Sequence, residues 1–245
     1  LFSMSDNFNK LGANSFSVRP LSETLKSNDN GRNRKEAEPI VFDQAMSFKE
    51  NYQYGASRVS IESFCSGDAT IKHGDKKTNP TVRVVGIDEN YMNTSAYEII
   101  AGRNFTNNEI MATANKVIIG SEIVQSLFQD KPEKAIGKDL YINSDKYMIV
   151  GALKSKGSNS GGSNDRRVFI PLYNSKVQYG YADKSYNVTV AVAQPNEMED
   201  AINHAISIMR NVRKLKVSEE NDFELRKSDG ILNQLKEMTS TLRWS

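Results

Sequence analysis

The chain has little of what covalent stapling and catalysis require. It holds one cysteine, Cys65, in 245 residues, so no disulfide closes within it. Cys65 falls in a stretch of strand character and reads as a small buried hydrophobe, not a reactive thiol. Only two histidines are present. His73 lies in a charged turn, and His204 lies on a helical stretch with Asp200 four positions before it. A metal site needs three or more convergent ligands, so both read as surface residues. Basic residues number 32 and acidic residues 30, a net charge of +2. That balance gives no electrostatic ground for nucleic acid as a partner. No apolar run reaches the roughly 18 residues that a bilayer-spanning helix needs, and no signal peptide opens the chain. The first residue is Leu1 and not Met, so the chain is expected to be a piece of a longer protein whose membrane spans lie outside it.

Catalytic signatures are equally scarce. No Gly-x-Ser-x-Gly elbow occurs. Asp88 and Glu89 are adjacent, so on a strand they face opposite sides and cannot work as an acid–base pair. The Gly/Ser-rich stretch 154–166 lacks the Gly-Lys-Ser/Thr of a phosphate loop. It reads as a mobile loop, with Gly157, Ser158, Asn159, Gly161 and Gly162 as candidate partner contacts. The basic run 210–216 closes a helix and matches the helix dipole. No catalytic, metal-binding or cofactor-binding residue is expected in this chain.

What is present is material for a core, with 38% hydrophobic and 25% charged residues. Residues 14–19 alternate as a strand, and residues 22–39 are polar with little to bury. Asp43 is placed to cap a helix through about Tyr54, with Ala45, Phe48 and Tyr52 on one face and Gly55 ending it. Residues 58–64 follow as a strand. A second strand–helix–strand unit closes the chain. Tyr186, Val188, Val190 and Val192 alternate with polar or small residues, and Asn196 with Glu199 suggests a capping box. Met198, Ala201, Ile202, Ala205, Ile206, Met209 and Val212 then form a helical stripe, before Phe223 and Leu225 alternate on a last strand. Between these units lies a β-rich stretch. Asn143-Ser144-Asp145 is a hairpin turn, and Ser121 is placed to cap a short helix carrying Ile123, Val124, Leu127 and Phe128.

The fold expected is therefore α+β. An α/β subdomain is built from residues 1–68 and 183–245, with residues 69–182 inserted as a β-rich subdomain, and the chain ends lie close together. Both ends carry apolar stripes at helical spacing. Leu1, Met4, Phe8 and Leu11 recur at the start, and Ile231, Leu235, Met238 and Leu242 at the finish. Two readings stand for these stripes: ordinary surface helices on the core, or a stalk.

Residues 81–172 set short motifs in a fixed order. Val84-Val85-Gly86-Ile87-Asp88 precedes Ala101-Gly102-Arg103-Asn104-Phe105-Thr106, then Val117-Ile118-Ile119-Gly120, Leu127-Phe128 and Ile136-Gly137-Lys138. Tyr147-Met148-Ile149-Val150-Gly151 and Val168-Phe169-Ile170-Pro171-Leu172 complete the series. This order resembles the extracytoplasmic core domain of MacB-type and FtsX-like permeases of ABC transporters. Leu11-Gly12-Ala13-Asn14, leading into a strand and Pro20, resembles the segment after the first membrane helix in that family. The resemblance implies a non-enzymatic periplasmic domain with a porter-like α/β subdomain and a β-rich insertion, set between two membrane helices of a bacterial inner-membrane protein. It implies a second permease subunit as dimer partner and an ABC ATPase, fused or separate. A periplasmic adaptor or another cell-envelope protein is a further candidate partner. The implied role is mechanotransmission, with ATP hydrolysed in the cytoplasm and the terminal stripes serving as the stalk. Gly86, Gly102, Gly120, Gly137 and Gly151 read as glycines required by the fold. The alternatives from other classes are a free-standing secreted or cell-surface α/β binding module, and an enzyme without a recognisable site.

Overall fold

A computed structural model describes residues 14–21, 37–159 and 162–228. In chain order the elements are β1 (Ser15–Pro20), α1 (Phe42–Asn51), β2 (Arg58–Ala69), β3 (Ile71–His73), β4 (Lys76–Lys77) and β5 (Val82–Ile87). Then come α2 (Tyr91–Thr94), β6 (Ile99–Gly102), α3 (Asn107–Met111), β7 (Lys116–Ile119), α4 (Ser121–Phe128) and α5 (Pro132–Ala135). They are followed by β8 (Asp139–Ile142), β9 (Asp145–Leu153), β10 (Ser158–Asn159), β11 (Gly162–Ser163), β12 (Arg167–Pro171) and α6 (Leu172–Tyr179). The chain closes with β13 (Asn187–Ala191), a 3-10 turn (Pro195–Glu197), α7 (Met198–Val212) and β14 (Phe223–Lys227). The architecture is α+β. It divides into two compact units, residues 1–61 with 182–245, and residues 62–181.

In the first unit β1 is flanked on both sides by antiparallel partners. Val18 pairs with Val188 of β13 and with Leu225 of β14. Phe16, Val18, Val188, Val190, Phe223 and Leu225 are all buried. Helices α1 and α7 pack together. The α7 stripe Ala201, Ile202, Ala205, Ile206 and Met209 is buried, as are Ala45 and Phe48 of α1. The spacing of three and four residues puts these side chains on one helical face, and that face is what the unit covers. The Tyr52 hydroxyl donates to the Ala201 carbonyl at 3.0 Å, which satisfies a buried hydroxyl with a backbone acceptor.

Three helix starts differ from those expected of the sequence. Helix α1 takes Val41 as its cap residue and ends at Asn51; Asp43 sits in the first turn, where a carboxylate favours the dipole. The Val41 N–H is instead satisfied by Gln44 Oε1 at 3.3 Å. At α7, Pro195 opens a 3-10 turn in which Glu197 N–H donates to the Gln194 carbonyl at 3.1 Å. Asn196 is inside that turn and Glu197 takes the cap position, so no capping box forms. At α4 the cap position belongs to Gly120, with Ser121 in the first turn. A Cβ on Gly120 would stand 2.3 Å from the Asp165 carbonyl oxygen, so only glycine permits that approach.

In the second unit the strand order is β2-β5-β12-β7-β9-β8-β3-β4, with β6 on β9. β5 and β12 are parallel, β12 and β7 antiparallel, and β7 and β9 parallel. β8 and β9 form the hairpin at Asn143-Ser144, and Asn143 adopts φ +53°, a conformation that asparagine tolerates. One core face gathers Val84, Ile119, Leu127, Tyr147, Ile149 and Ile170. Tyr147 donates to Asn174 Oδ1 at 2.8 Å, and Asn174 Nδ2 donates to Asn115 Oδ1 at 2.7 Å, so the buried polar groups satisfy one another. Cys65 is half-buried and packs against this core. The Arg103 guanidinium grips Glu109 through both carboxylate oxygens at 2.8 and 2.9 Å. That fork, with the Thr106 cap, overcomes partial burial and holds the Glu109 carboxyl at about 2.

Gly86 lies on β5 beneath α6. A Cβ there would stand 2.0 Å from Ser175 Oγ and 2.3 Å from Ser175 Cβ, a clash that side-chain rotation does not relieve. Gly86→Ala is expected to destabilise the protein by about 1–3 kcal/mol through overpacking. Urea unfolding measures this, and Ser175→Gly in the same chain is expected to recover part of the loss.

Candidate functional site

Two places in the structure are candidates for function: the pairing of the first described strand with the last, and the connection from β9 to β12. The first follows from strand order. Among the described residues β14 is the edge strand and pairs only with β1, in antiparallel register from Phe16↔Lys227 to Pro20↔Phe223. Just beyond the ladder the Ser228 N–H donates to the Ser15 carbonyl at 2.9 Å. The chain thus enters this unit and leaves it at neighbouring points, about one strand spacing (~4.8 Å) apart. The terminal stripes Leu1, Met4, Phe8, Leu11 and Ile231, Leu235, Met238, Leu242 lie outside the described residues.

The β9–β12 connection reads as a mobile loop in the sequence, and the structure pins it at its base. Asp165 is buried, and its carboxylate accepts from Lys156 N at 2.6 Å, Ser155 Oγ at 2.7 Å and Gly157 N at 3.0 Å. Burial pushes this carboxyl up, but the hydrogen bonds together outweigh it, and the net direction is down. The Asp165 carbonyl accepts from Glu122 N at 3.1 Å, at the first turn of α4. Glu122 in turn accepts from Ser163 Oγ and Arg166 Nε, both at 2.7 Å. The Ser163 bond, aided by Arg166, draws the Glu122 carboxyl below its ordinary value against partial burial. Gly157 has φ +81°, the left-handed region that favours glycine. Ser158 and Asn159 pair with Ser163 and Gly162 as the short ladder β10–β11. Gly161 lies outside the described residues. The loop is therefore a fastened hairpin. Its anchor, Asp165, has no motif that marks it in sequence.

On the same side the Lys156 ammonium lies 4.2 Å from the Tyr97 ring centroid and donates to the Ser95 carbonyl. Tyr97 packs edge-on against Phe169 with centroids 5.2 Å apart, and Tyr91 lies 5.7 Å from Phe169. Burial pushes the phenols of Tyr91 and Tyr97 up.

The histidines do not meet. His73 Nδ1 lies 2.7 Å from the Asp139 carbonyl with its ring against Phe128, whereas His204 sits beside Tyr52 and Tyr54. Among the described residues no three His, Cys, Asp or Glu side chains gather to hold a metal ion. Arg210 does more than match a dipole. It donates to the Lys216 and Glu219 carbonyls and to Asn221 Oδ1, which ties the end of α7 to the connection into β14. No described helix is long and apolar enough to cross a membrane.

Removing the anchor should free the hairpin. Asp165→Ala is expected to speed cleavage between residues 157 and 163 in limited proteolysis several-fold while the core stays intact. The folded carboxyl titrates below its unfolded value. Its contribution is therefore complete above the ordinary carboxylate range and is lost as pH falls through the lower folded value. The protection factors of the Lys156 and Gly157 amides, which are corrected for the intrinsic pH dependence of exchange, should fall as pH drops through the folded value.

Residues 1–207 match the profile of the MacB-like periplasmic core domain. Among curated proteins the chain is 29% identical over 179 residues to a macrolide export ATP-binding/permease protein MacB of Chlorobium phaeobacteroides, covering 72% of this chain and 26% of that protein. It is 28% identical over 140 residues to the uncharacterized ABC transporter permease YknZ of Bacillus subtilis, covering 57% of this chain and 34% of that protein. The chain thus spans about a quarter to a third of these relatives' length. Among solved structures, the periplasmic region of MacB from Actinobacillus actinomycetemcomitans superposes with a TM-score of 0.66 at 14% identity, over 98% of this chain and 97% of that one. The extracellular domain of YknZ from Gram-positive bacteria gives 0.60 at 19% identity, over 83% and 96%. With the profile matched over most of its length, the chain belongs to the family of MacB-like periplasmic core domains.

Proposed function

We propose that this domain is the extracytoplasmic part of an ABC-transporter permease in a bacterial inner membrane. It has no active centre or cofactor of its own, and it converts ATP-driven movement of two membrane helices into a change of pose outside the membrane. The observation that carries this reading is the bond between Ser228 N and Ser15 O at 2.9 Å. A segment looped out between two neighbouring spans must begin and end side by side, and these ends do. Because β1 is bonded on its other side to β13, a displacement reaching either end enters a paired ladder and not a loose tail. Ladder hydrogen bonds and packed side chains are short-range and stiff, so such a unit moves as a body.

In this reading the terminal stripes, Leu1 to Leu11 and Ile231 to Leu242, form the stalk that links the ladder to the membrane. The fastened hairpin around Gly157 is a contact for an adaptor or another envelope protein. ATP is hydrolysed in a cytoplasmic domain, fused or separate, and a second permease subunit completes a dimer. Relatives described as exporters of macrolides or of pyoverdine support export as the output.

Two measurements on the full-length parent test this. With Cys65→Ser in place, a cysteine replacing the fully exposed Val217 should react with a membrane-impermeant maleimide in cells whose cytoplasmic membrane is intact. Labelling only after that membrane is opened would refute the placement. Met4→Asp and Leu235→Asp should leave ATPase activity largely in place while output falls at least about tenfold. An unchanged ratio of output to ATP hydrolysed would refute the lever.

A further inference from the structure

One face of the second unit sets two arginines side by side, with Glu62 and Asp165 acting on the neighbouring Lys156 and Tyr97. Phe64 of β2, Val85 of β5 and Phe169 of β12 form one row across three strands. One step along the same face, Arg83 of β5 and Arg167 of β12 are direct partners in the parallel ladder. Like charges placed opposite each other across a ladder repel, so this row stores an unfavourable pairing that the fold itself does not use. The Arg83 guanidinium lies 4.7 Å from the Phe64 ring centroid and is exposed. Phe64 itself is 48% exposed, although its row neighbours Val85 and Phe169 are buried. Among the described residues Arg83 has no ion pair. The Arg167 side chain donates to the Ser163 carbonyl at 3.2 Å. Lys156 at the far end of the row spends its ammonium on a ring and a carbonyl. Of the other cations of this unit, Arg103, Lys154 and Arg166 do bond carboxylates, in Glu109, Glu98 and Glu122.

We propose that the Phe64–Arg83–Arg167 face is a docking surface for an acidic polypeptide segment, one that sets a carboxylate on the arginine pair and an apolar side chain on Phe64. The chemistry favours this occupant. Guanidinium forks match carboxylates through two parallel hydrogen bonds, and two arginines one strand apart present two such forks. Arginine stacked on an exposed aromatic is the composition of an interface centre. A net charge of +2 over the whole chain gives no extended basic field for nucleic acid or an anionic bilayer, so the complementarity is local. The surface is independent of whether the chain ends enter a membrane.

The test uses the whole 245-residue chain with three probes: the tetrapeptide acetyl-Asp-Phe-Asp-Glu-amide, its basic counterpart acetyl-Lys-Phe-Arg-Lys-amide, and inorganic phosphate. Arginine Nε–Hε signals are followed by NMR, assigned through Arg83→Gln and Arg167→Gln. The acidic peptide should shift the Arg83 and Arg167 signals saturably in the millimolar range. Arg83→Glu should weaken that binding at least about tenfold, Arg83→Lys less, and raised salt should weaken it too. The melting temperature of Arg83→Glu should not fall, since the substitution removes a like-charge pair. Three results would overturn the proposal: no shift with the acidic peptide, equal shifts with the basic peptide, or shifts with phosphate that the peptide does not exceed. In the full-length parent, Arg83→Glu should lower output with domain stability unchanged; unchanged output would overturn the surface's use in the cell.

Discussion

The antiparallel pairing of β1 with β14 is the constraint on which the rest of the first unit depends. It joins the first described strand to the last across more than two hundred residues, and it makes β1 an interior strand with β13 on its other side. Every buried side chain of those strands, from Phe16 and Val18 to Phe223 and Leu225, has its place because this register holds. A slip of one residue would turn each of them to the opposite face. The same pairing puts the entry and exit of the chain side by side, which links the fold to the proposed role. Arg210 and its carbonyl partners extend the link by tying α7 to the connection that precedes β14. A displacement at Ser228 therefore meets a strand, a helix and their shared core.

The second unit is held by close backbone approach and by satisfied polar groups. Gly86 lets α6 settle on β5, Gly120 admits the Asp165 carbonyl, and Gly151 admits the Arg103 carbonyl at a distance no Cβ would allow. At these motif positions the spacing between backbone segments is set by the absence of a Cβ. The Asp165 network then holds the β9–β12 connection against the start of α4. A segment rich in Gly and Ser usually carries a large entropy of ordering. Here one carboxylate that accepts three hydrogen bonds, with a second carboxylate bound to Ser163 and Arg166, offsets it.

Much of this was legible in the residues. The α7 stripe, the alternation in β1, β13 and β14, and the Asn143-Ser144 hairpin are local patterns, and local patterns survive folding because they arise from backbone geometry. The order of motifs over 81–172 carried the family. Helix starts were less legible. Asp43, Ser121 and Asn196 each have a side chain suited to capping, but the cap went to Val41, Gly120 and Glu197. In each case a neighbour decided the matter: Gln44 reaching back to Val41, the Asp165 carbonyl against Gly120, and Pro195 tightening a 3-10 turn. The arginine face was not legible at all. Arg83 and Arg167 are 84 positions apart and meet only through the β5–β12 ladder.

The sequence by itself determined the class of protein and what it excludes. One cysteine leaves no disulfide within the chain, two scattered histidines and balanced charge gave no ground to expect metal or nucleic acid, and the motif order set the family. These are properties of composition and of neighbours along the chain, and they need no coordinates. Only the tertiary structure decided which distant residues meet: Ser15 with Ser228, Asp165 with the loop amides beside α4, and Arg83 with Arg167. Such contacts depend on strand register and on the approach of separate backbone segments, and no local propensity encodes either.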